Sequence, residues 1–369
     1  MAQLSFDPRE ITGNFSVPGE FTACETINTG HINSTYKVTF NEGGAVRNYL
    51  LQRVNTYVFK DPDKLMSNIT AVTSFLRKKI AEAGGDPERE TLTFLPAREG
   101  GYYHTAADGG CWRMCNFVSD TFCTDYIDRP ETFMNAGWAF GNFQMLLGDF
   151  PIDTLYETIP DFHDTGKRYA ALEEAVARDA KGRAAGVKAE IEYALSGGEF
   201  ATKLTDLIKS GGLPLRVTHN DTKLNNILFD RKTGKGICVI DLDTIMPGLS
   251  LYDFGDAVRY GANTAVEDER DLSKVTLSLP LYEAYARGYL SACGDALTPA
   301  EKELLPFSCK IMAYEVGIRF LTDYLNGDVY FKTSYPDHNL VRCRDQLALV
   351  RDIDTKMGEM ERVTRSIDR

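Results

Sequence analysis

The chain has 369 residues, more than one hydrophobic core usually serves, so two domains or lobes are expected. With 43% hydrophobic and 25% charged residues and no Pro-, Ser- or Gln-rich tract, its composition is that of a globular protein and excludes a disordered or fibrous one. The formal net charge of −12, from 41 basic and 53 acidic residues, argues against a nucleic acid or an anionic membrane as the main partner.

Residues 23–28, 35–40 and 46–54 read as three strands, connected by Gly30 and then by Asn41-Glu42-Gly43-Gly44, a strong hairpin signal. Asp61-Pro62-Asp63 opens an amphipathic helix with Leu65, Ile69, Val72, Phe75, Leu76 and Ile80 at helical spacing, and Gly84-Gly85-Asp86-Pro87 ends it. Two further strands are predicted at 91–95 and 111–118, with 100–110 as an exposed hairpin turn between them. Cys111 and Cys115 fall on one face of the second and read as small buried hydrophobes.

From about residue 121 the pattern becomes helical. Pro130 followed by Phe133, Trp138, Phe143 and Leu146-Leu147 predicts a buried helix, whereas 169–194 and 200–209 read as surface helices rich in Ala, Glu and Lys. Residues 216–240 interrupt them with two short apolar runs, and 272–290, 304–325 and 337–360 are helical again. No internal repeat or low-complexity linker is present. Five strands with one inserted helix, a hinge near 117–120 and a mainly helical remainder predict an α+β, two-lobed protein-kinase-like fold. Its N-terminal nucleotide-binding lobe, residues 1–117, carries a five-stranded antiparallel sheet and one helix. Residues 118–369 form the helical catalytic and substrate-binding lobe.

The eight cysteines (Cys24, Cys111, Cys115, Cys123, Cys238, Cys293, Cys309 and Cys343) form no C-x-x-C pair or Cys/His cluster, so reduced thiols are expected rather than a zinc site or disulfide framework. Residues 1–21 carry Asp7, Arg9, Glu10 and Glu20 and lack the apolar core of a signal peptide. No stretch reaches the roughly 18 apolar residues of a membrane span. A soluble cytoplasmic protein is the expectation.

The most informative stretch is His219-Asn220-Asp221-Thr222-Lys223-Leu224-Asn225-Asn226, followed after an apolar run by Val239-Ile240-Asp241-Leu242-Asp243. Phosphoryl transfer asks a protein mainly for positioning and charge neutralisation: a carboxylate to accept or orient the acceptor hydroxyl's proton, and oxygen ligands for Mg²⁺. Asp221 is the candidate base, and Asn226 and Asp241 are the candidate metal ligands. Ile227-Leu228-Phe229 and Ile237-Cys238-Val239-Ile240 would form a small buried hairpin that brings those two ligands side by side. Lys223 is placed to neutralise the transferring group, and His219 to brace the loop by hydrogen bonding. An acidic chain can still bind ATP, which needs only a locally positive phosphate site and a metal.

The run Thr218-His219-Asn220-Asp221 through Asn226, with Ile240-Asp241-Leu242-Asp243, resembles the aminoglycoside phosphotransferase superfamily. Gly30-His31-Ile32-Asn33-Ser34-Thr35-Tyr36, Leu51-Gln52-Arg53-Val54-Asn55, 241–248 and 319–331 are similar to the bacterial N-acetylhexosamine 1-kinases. Ile159-Pro160-Asp161-Phe162-His163-Asp164-Thr165 extends the likeness over nearly the whole chain. The resemblance implies ATP-dependent phosphorylation of the anomeric hydroxyl of N-acetylglucosamine or N-acetylgalactosamine, with Mg²⁺ as cofactor. It supports the base role of Asp221 and the metal roles of Asn226 and Asp241.

The resemblance also implies that Gly30 and its neighbours cover the ATP phosphates, with backbone N–H groups and the small side chains of Asn33, Ser34 and Thr35 in place of a glycine-rich loop. Arg53 takes the approximate place of the phosphate-holding lysine, as a planar fork instead of a point charge. No glutamate lies between Asp61 and Ala81 to pair with it; Asn68 or Asp63 would have to substitute, and its partner stays unassigned. Adenine would sit against Asn116-Phe117-Val118. Sugar recognition would fall to Arg319, Asp323 and Tyr324, on a run otherwise apolar at Ile318, Phe320 and Leu321, with His31 and Asp164 as further contacts and His163 as a structural histidine. Arg319 and Asp323, four apart, have a helix-surface ion pair as the competing account.

Two alternatives stand beside this reading. One is a kinase for another small hydroxylated acceptor, such as an aminoglycoside, choline, homoserine or methylthioribose, where a cationic substrate calls for carboxylates or an aromatic cage. The other is a kinase-like binding protein without activity, against which the intact Asp221, Asn226 and Asp241 argue. The expected partners are a small-molecule sugar and a nucleotide, with no nucleic acid and no membrane; the oligomeric state is unassigned.

Overall fold

In a computed structural model, which describes residues 6–27 and 32–367, the chain opens with a short helix α1 (Pro8–Thr12) and an antiparallel meander of β1 (Glu20–Ile27), β2 (Ser34–Glu42) and β3 (Ala45–Val54). Gly43 and Gly44, both at positive φ, make the two-residue turn between β2 and β3, the geometry that matches the twist of paired strands. Helix α2 (Pro62–Glu82) begins where the Asp61 side chain accepts the Lys64 N–H at 3.1 Å and Pro62 occupies the first turn. β4 (His104–Thr105) and β5 (Cys111–Asn116) complete a five-stranded sheet of order β1-β2-β3-β5-β4.

The strand count agrees with expectation, but the fourth strand in chain order is 104–105, not 91–95. That segment runs beside β5 through Leu95 N–H to Met114 O and Asn116 N–H to Thr93 O, and only Phe94 and Cys115 form a bridge. The Thr93 N–H goes to the Asn116 side chain instead of a ladder carbonyl, and Pro96 ends the run. β4 lies inside the stretch expected as a turn.

The rest of the chain adds β6 (Thr121–Phe122), α3 (Pro130–Leu146), α4 (Thr165–Arg178), α5 (Lys188–Ser196), α6 (Gly198–Ala201), α7 (Lys203–Lys209), β7 (Arg216–Thr218), β8 (Ile227–Asp230), β9 (Gly236–Val239), β10 (Met246–Gly248), α8 (Ser250–Gly261), α9 (Leu279–Cys293), α10 (Pro299–Asn326) and α11 (His338–Ile367). The helix expected over 169–194 is broken, because Asp179 takes a left-handed conformation at the end of α4 and Gly182 follows with φ +64°. Helix α9 starts seven residues later than expected, where Ser278 caps it and Pro280 sits in its first turn. Among the described residues no helix is long and apolar enough to cross a membrane.

Two apolar clusters hold these elements together. The outer face of the sheet packs Val38, Phe40, Leu51, Trp112 and Met114 against Ile11 and Phe15. The inner face, with Val54, Cys111 and Cys115, joins Leu65, Ile69 and Val72 of α2 and continues without a break into Phe140, Phe229 and Phe254 of the second lobe. Asn68, buried on α2, ties the lobes as well: its Nδ2 donates to Tyr156 O (2.7 Å) and Ile245 O (2.9 Å), and its Oδ1 accepts the Tyr156 N–H (2.9 Å).

Helices α3 and α9 touch backbone to backbone because glycines face the crossing. A Cβ on Gly288 would sit 1.9 Å from Met134 O, and one on Gly137 would sit 2.3 Å from Tyr285 O. Gly288→Ala is therefore expected to force the helices apart and destabilise the protein by about 3 kcal/mol, an overpacking cost at the upper end of the usual range. The measurement is the urea midpoint at unchanged m-value, and a wild-type midpoint would contradict the close crossing.

Candidate active site

The loop between β7 and β8 is built around a carboxylate from α8. Asp253, buried, accepts the N–H groups of His219 (2.9 Å) and Asn220 (2.8 Å) and the Gln144 side-chain amide (2.9 Å), while its backbone carbonyl accepts the Thr222 hydroxyl (2.6 Å). Burial pushes the Asp253 carboxyl up, and the amide donors together with nearby His219 oppose that rise. Asn220 turns through φ +63°, its Nδ2 bound to Thr244 O at 2.9 Å. His219 braces the loop: Nδ1 lies 3.2 Å from the Asp221 N–H, which assigns the ring proton to Nε2, 2.8 Å from Ile240 O.

That frame presents the candidate reactive groups. Asp221 Oδ1 lies 2.9 Å from Lys223 Nζ, and Asn226 Nδ2 donates to Asp221 O at 2.8 Å, which leaves Asn226 Oδ1 as an acceptor. Burial works against the Lys223 charge, but Asp221 and then Asp256 more than offset it and hold the ammonium above the ordinary lysine range. The β8–β9 hairpin pairs Ile227 with Val239, and Ile240 N–H donates to Asn226 O (2.9 Å), so Asn226 and Asp241 stand together as expected.

Asp241 adopts a left-handed backbone, φ 58° and ψ 58°. Burial, then Asp243 and Asp221, raise its carboxyl to about 6, against the opposing pull of Arg113 and His219. Crowded carboxylates with a free amide oxygen beside them are the donor set that suits Mg²⁺. Among the described residues no three His, Cys, Asp or Glu side chains close a metal cage, which Mg²⁺ shared with substrate phosphates does not require. Asn226 and Asp241 fit that ion.

The small lobe places Arg53 away from the position expected of it. Side chains alternate across a strand, and Arg53 falls on the outer face: it pairs with Asp108 (2.8 Å) and stacks over Trp112 (5.8 Å), away from the cleft. Neither Asn68 nor Asp63 partners it; Asp63 accepts the Tyr103 hydroxyl. Ser34, opposite Arg53 in the β2–β3 register, shares that outer face, whereas Thr35 lies opposite Gln52 on the inner one. The buried cation on the inner face is Arg113 of β5, which the sequence reading missed; it is ion-paired with Asp243, whereas Lys37, on the same face of β2, is half-buried over Phe117. Asn33 Nδ2 donates to the other Asp243 oxygen at 2.6 Å. Gly30 and His31 lie outside the described residues.

At the hinge the Asn116 side chain is occupied, accepting the Thr93 N–H (2.7 Å) and donating to Glu88 O (2.9 Å). An adenine there is left with backbone groups of Phe117 and Val118 and with the Phe117 ring, over which Lys37 Nζ lies at 5.6 Å.

His163 links the β7–β8 loop to α10: Nε2 is 3.3 Å from Asn220 O and Nδ1 is 2.8 Å from Glu315. Glu315 is fully buried and also accepts the Thr165 hydroxyl at 2.6 Å; burial opposes its charge, but His163 and Arg319 hold its carboxyl below the usual range. Arg319 pairs with Glu315 (4.0 Å), not with Asp323, and lies over Phe162, Phe331 and Tyr330 at 5.6, 5.6 and 6.0 Å.

Asp323 is turned to another task, accepting the N–H groups of Val329, Tyr330 and Phe331 and the Asn339 amide. Tyr324 faces Arg183, whose guanidinium covers its ring at 4.6 Å. Asp164 caps α4 by accepting the Lys167 N–H at 3.0 Å. The structure thus gathers Asp221, Lys223, Asn226 and Asp241 in one place, connects Arg319 to their loop through Glu315 and His163, and turns Asp323, Tyr324 and Arg53 to other contacts. Asp253 and Glu315 carried a signal in the sequence, a carboxylate flanked by apolar helix residues, which is costly unless donors surround it.

Residues 136–300, which contain the whole 219–243 arrangement, match the family model described as "Phosphotransferase enzyme family". The chain resembles that family over this stretch. Solved structures share the fold of this chain over nearly their full length. An aminoglycoside phosphotransferase from Alicyclobacillus acidocaldarius aligns with TM-score 0.59 at 10% identity, covering 99% of this chain and 98% of that one. A microcompartment-associated aminopropanol kinase aligns with TM-score 0.55 at 16% identity (96% and 97%), and a choline kinase from Cryptosporidium parvum with 0.54 at 13% (93% and 92%). At these identities the likeness is one of fold.

The raised Asp241 carboxyl carries a pH consequence. In the metal-free protein the folded state binds this proton more tightly than the unfolded chain, so the group's contribution to stability grows as pH falls from about 6 toward the ordinary carboxylate value. A metal must displace that proton, so apparent Mg²⁺ affinity in nucleotide binding should fall roughly tenfold per pH unit below about 6. A magnesium titration at pH 5 and pH 7.5 checks this, and equal affinities would count against Asp241 as a ligand.

Proposed function

We propose that the protein is an ATP-dependent kinase that phosphorylates a hydroxyl group of a small molecule. The convergence of Asp221, Lys223, Asn226 and Asp241 on one braced loop and hairpin supports this reading. Asp221 orients the acceptor hydroxyl and takes up its proton, and Lys223 offsets charge on the transferring group. Asn226 and Asp241 would hold Mg²⁺, which when bound neutralises charge on the nucleotide phosphates. Phe117 and Val118 would line the adenine site.

For the acceptor, the first reading is the anomeric hydroxyl of N-acetylglucosamine or N-acetylgalactosamine, giving the sugar 1-phosphate. Beyond the residue strings, Arg319 supports it. The faces of Phe162, Tyr330 and Phe331, which together would suit an ammonium group, already hold an internal guanidinium. A second arginine stands close by: burial and then Arg319 press the charge of Arg168 downward, so another cation there meets like charge. The second reading is an amine-bearing alcohol or aminoglycoside, favoured by the solved structures whose names specify aminopropanol kinase, choline kinase and aminoglycoside phosphotransferase.

ADP release with a panel of acceptors separates the two. Turnover is expected with an N-acetylhexosamine; strong turnover with choline, aminopropanol or kanamycin and none with N-acetylhexosamines would replace the first reading by the second. Asp221→Ala should lose more than about a hundredfold in turnover while nucleotide binding survives. Unchanged turnover in that variant would remove Asp221 from the mechanism.

A further inference from the structure

Protein kinases of the two-lobed plan hold their phosphate-site lysine, on the third strand, with a glutamate from the small lobe's helix. Neither half of that pair is present in its usual place here. The inner face of β3 offers Gln52, which is uncharged, and α2 commits its buried amide side chain, Asn68, to Tyr156 and Ile245.

The adjacent strand supplies a different arrangement. Arg113 lies opposite Gln52 and donates through Nε to Gln52 Oε1 at 3.0 Å, while its Nη1 reaches across the cleft to Asp243 Oδ1. Asp243 Oδ2 takes the Asn33 amide at 2.6 Å, Asn33 Oδ1 accepts the Asn55 N–H at 2.9 Å, and Gln52 Nε2 donates to Thr35 Oγ1 at 3.2 Å. Thr35, Gln52, Arg113, Asp243 and Asn33 thus form a ring of side chains. It leaves β2 at Thr35, passes through the second lobe at Asp243, and returns to the chain two residues upstream at Asn33.

We propose that Arg113 and Asp243 form an interlobe strut that positions the Asp241 metal ligand and the phosphate-side residue Asn33, so that both are positioning residues for the metal-bound nucleotide. This rests on the ATP-dependent reading above. Asp243 follows Asp241 by two residues, and Asp241 holds a left-handed backbone, which aspartate adopts more readily than most residues but at a cost over an ordinary conformation. The Asp243 side chain, clamped by donors on both oxygens, one an arginine with almost no exposure, fixes the chain two residues on and so helps to hold it there. The ion pair is dry, so loss of either partner strands a buried charge, whereas loss of both does not.

The test is equilibrium binding of ADP, with and without Mg²⁺, to Arg113→Gln, Asp243→Asn, the double variant, Arg113→Lys and Asn33→Ala, each first checked for a cooperative melt. Arg113→Gln should weaken Mg-ADP binding by at least about tenfold and metal-free ADP binding by less than about threefold. The double variant should bind no worse than the poorer single one, and Arg113→Lys should recover part of the loss. If Arg113→Gln fails to fold, Arg113→Lys and Asn33→Ala carry the same comparison. Wild-type Mg-dependence in the folded variants would overturn the strut, as would equal losses with and without metal. A wild-type protein that binds no Mg-ADP would overturn the ATP reading itself.

Discussion

A carboxylate removed from water must be surrounded by donors, and the structure uses that requirement to build the loop between β7 and β8. Asp253 collects two consecutive backbone N–H groups and a side-chain amide, so the loop has little freedom to lie anywhere but against α8. Everything chemical is downstream of that anchorage. His219 and Asn220 are fixed by it, His219 then braces Asp221 against Ile240, and Asn226 closes back onto Asp221.

The same device recurs around the site. Glu301 takes the Arg216 guanidinium, the Ser250 hydroxyl and the Thr298 N–H, which seats the start of β7 on α10. Glu315 gathers His163 and Thr165, and Asp323 gathers three successive amides of the 329–331 turn. Several of the chain's carboxylates are therefore internal loop organisers. This gives the acidic composition a structural use that has nothing to do with binding a cation. It also explains why Asp323, attractive as a ligand when seen beside Arg319 in the sequence, has no oxygen free of backbone or amide donors.

What the sequence made legible was whatever local chemistry enforces. The Gly43-Gly44 hairpin, the α2 start at Asp61-Pro62 and the β8–β9 hairpin that joins Asn226 to Asp241 all follow from short-range rules. The grouping of Asp221, Lys223, Asn226 and Asp241 was legible because its spacing along one loop and one hairpin is itself the signal. Arg53 was misplaced for a reason of phase. In a strand, a shift of one residue moves a side chain to the opposite face, and no motif on β3 fixes which of Gln52 and Arg53 points inward. Register with β2 and β5 decides it. Arg113 was invisible for a different reason: its partner lies 130 residues away, and only the closed fold brings them together. The 91–95 segment misled because the Asn116 side chain, not a strand, satisfies one of its amides.

The inner face of the sheet has no boundary with the interior of the helical lobe. Val54, Cys111 and Cys115 sit in the same apolar cluster as Phe140 and Phe229, and only the outer cluster around Trp112 belongs to the small lobe alone. The two lobes are consequently not interchangeable modules. A gene fragment ending at the hinge would encode a polypeptide with a wet apolar surface where its other half belongs, and a chimaera with the sheet of one relative and the helices of another would need its interior residues chosen as a matched set. Descent by shuffling of lobes is thereby disfavoured, and the two halves of this chain are expected to have changed in concert.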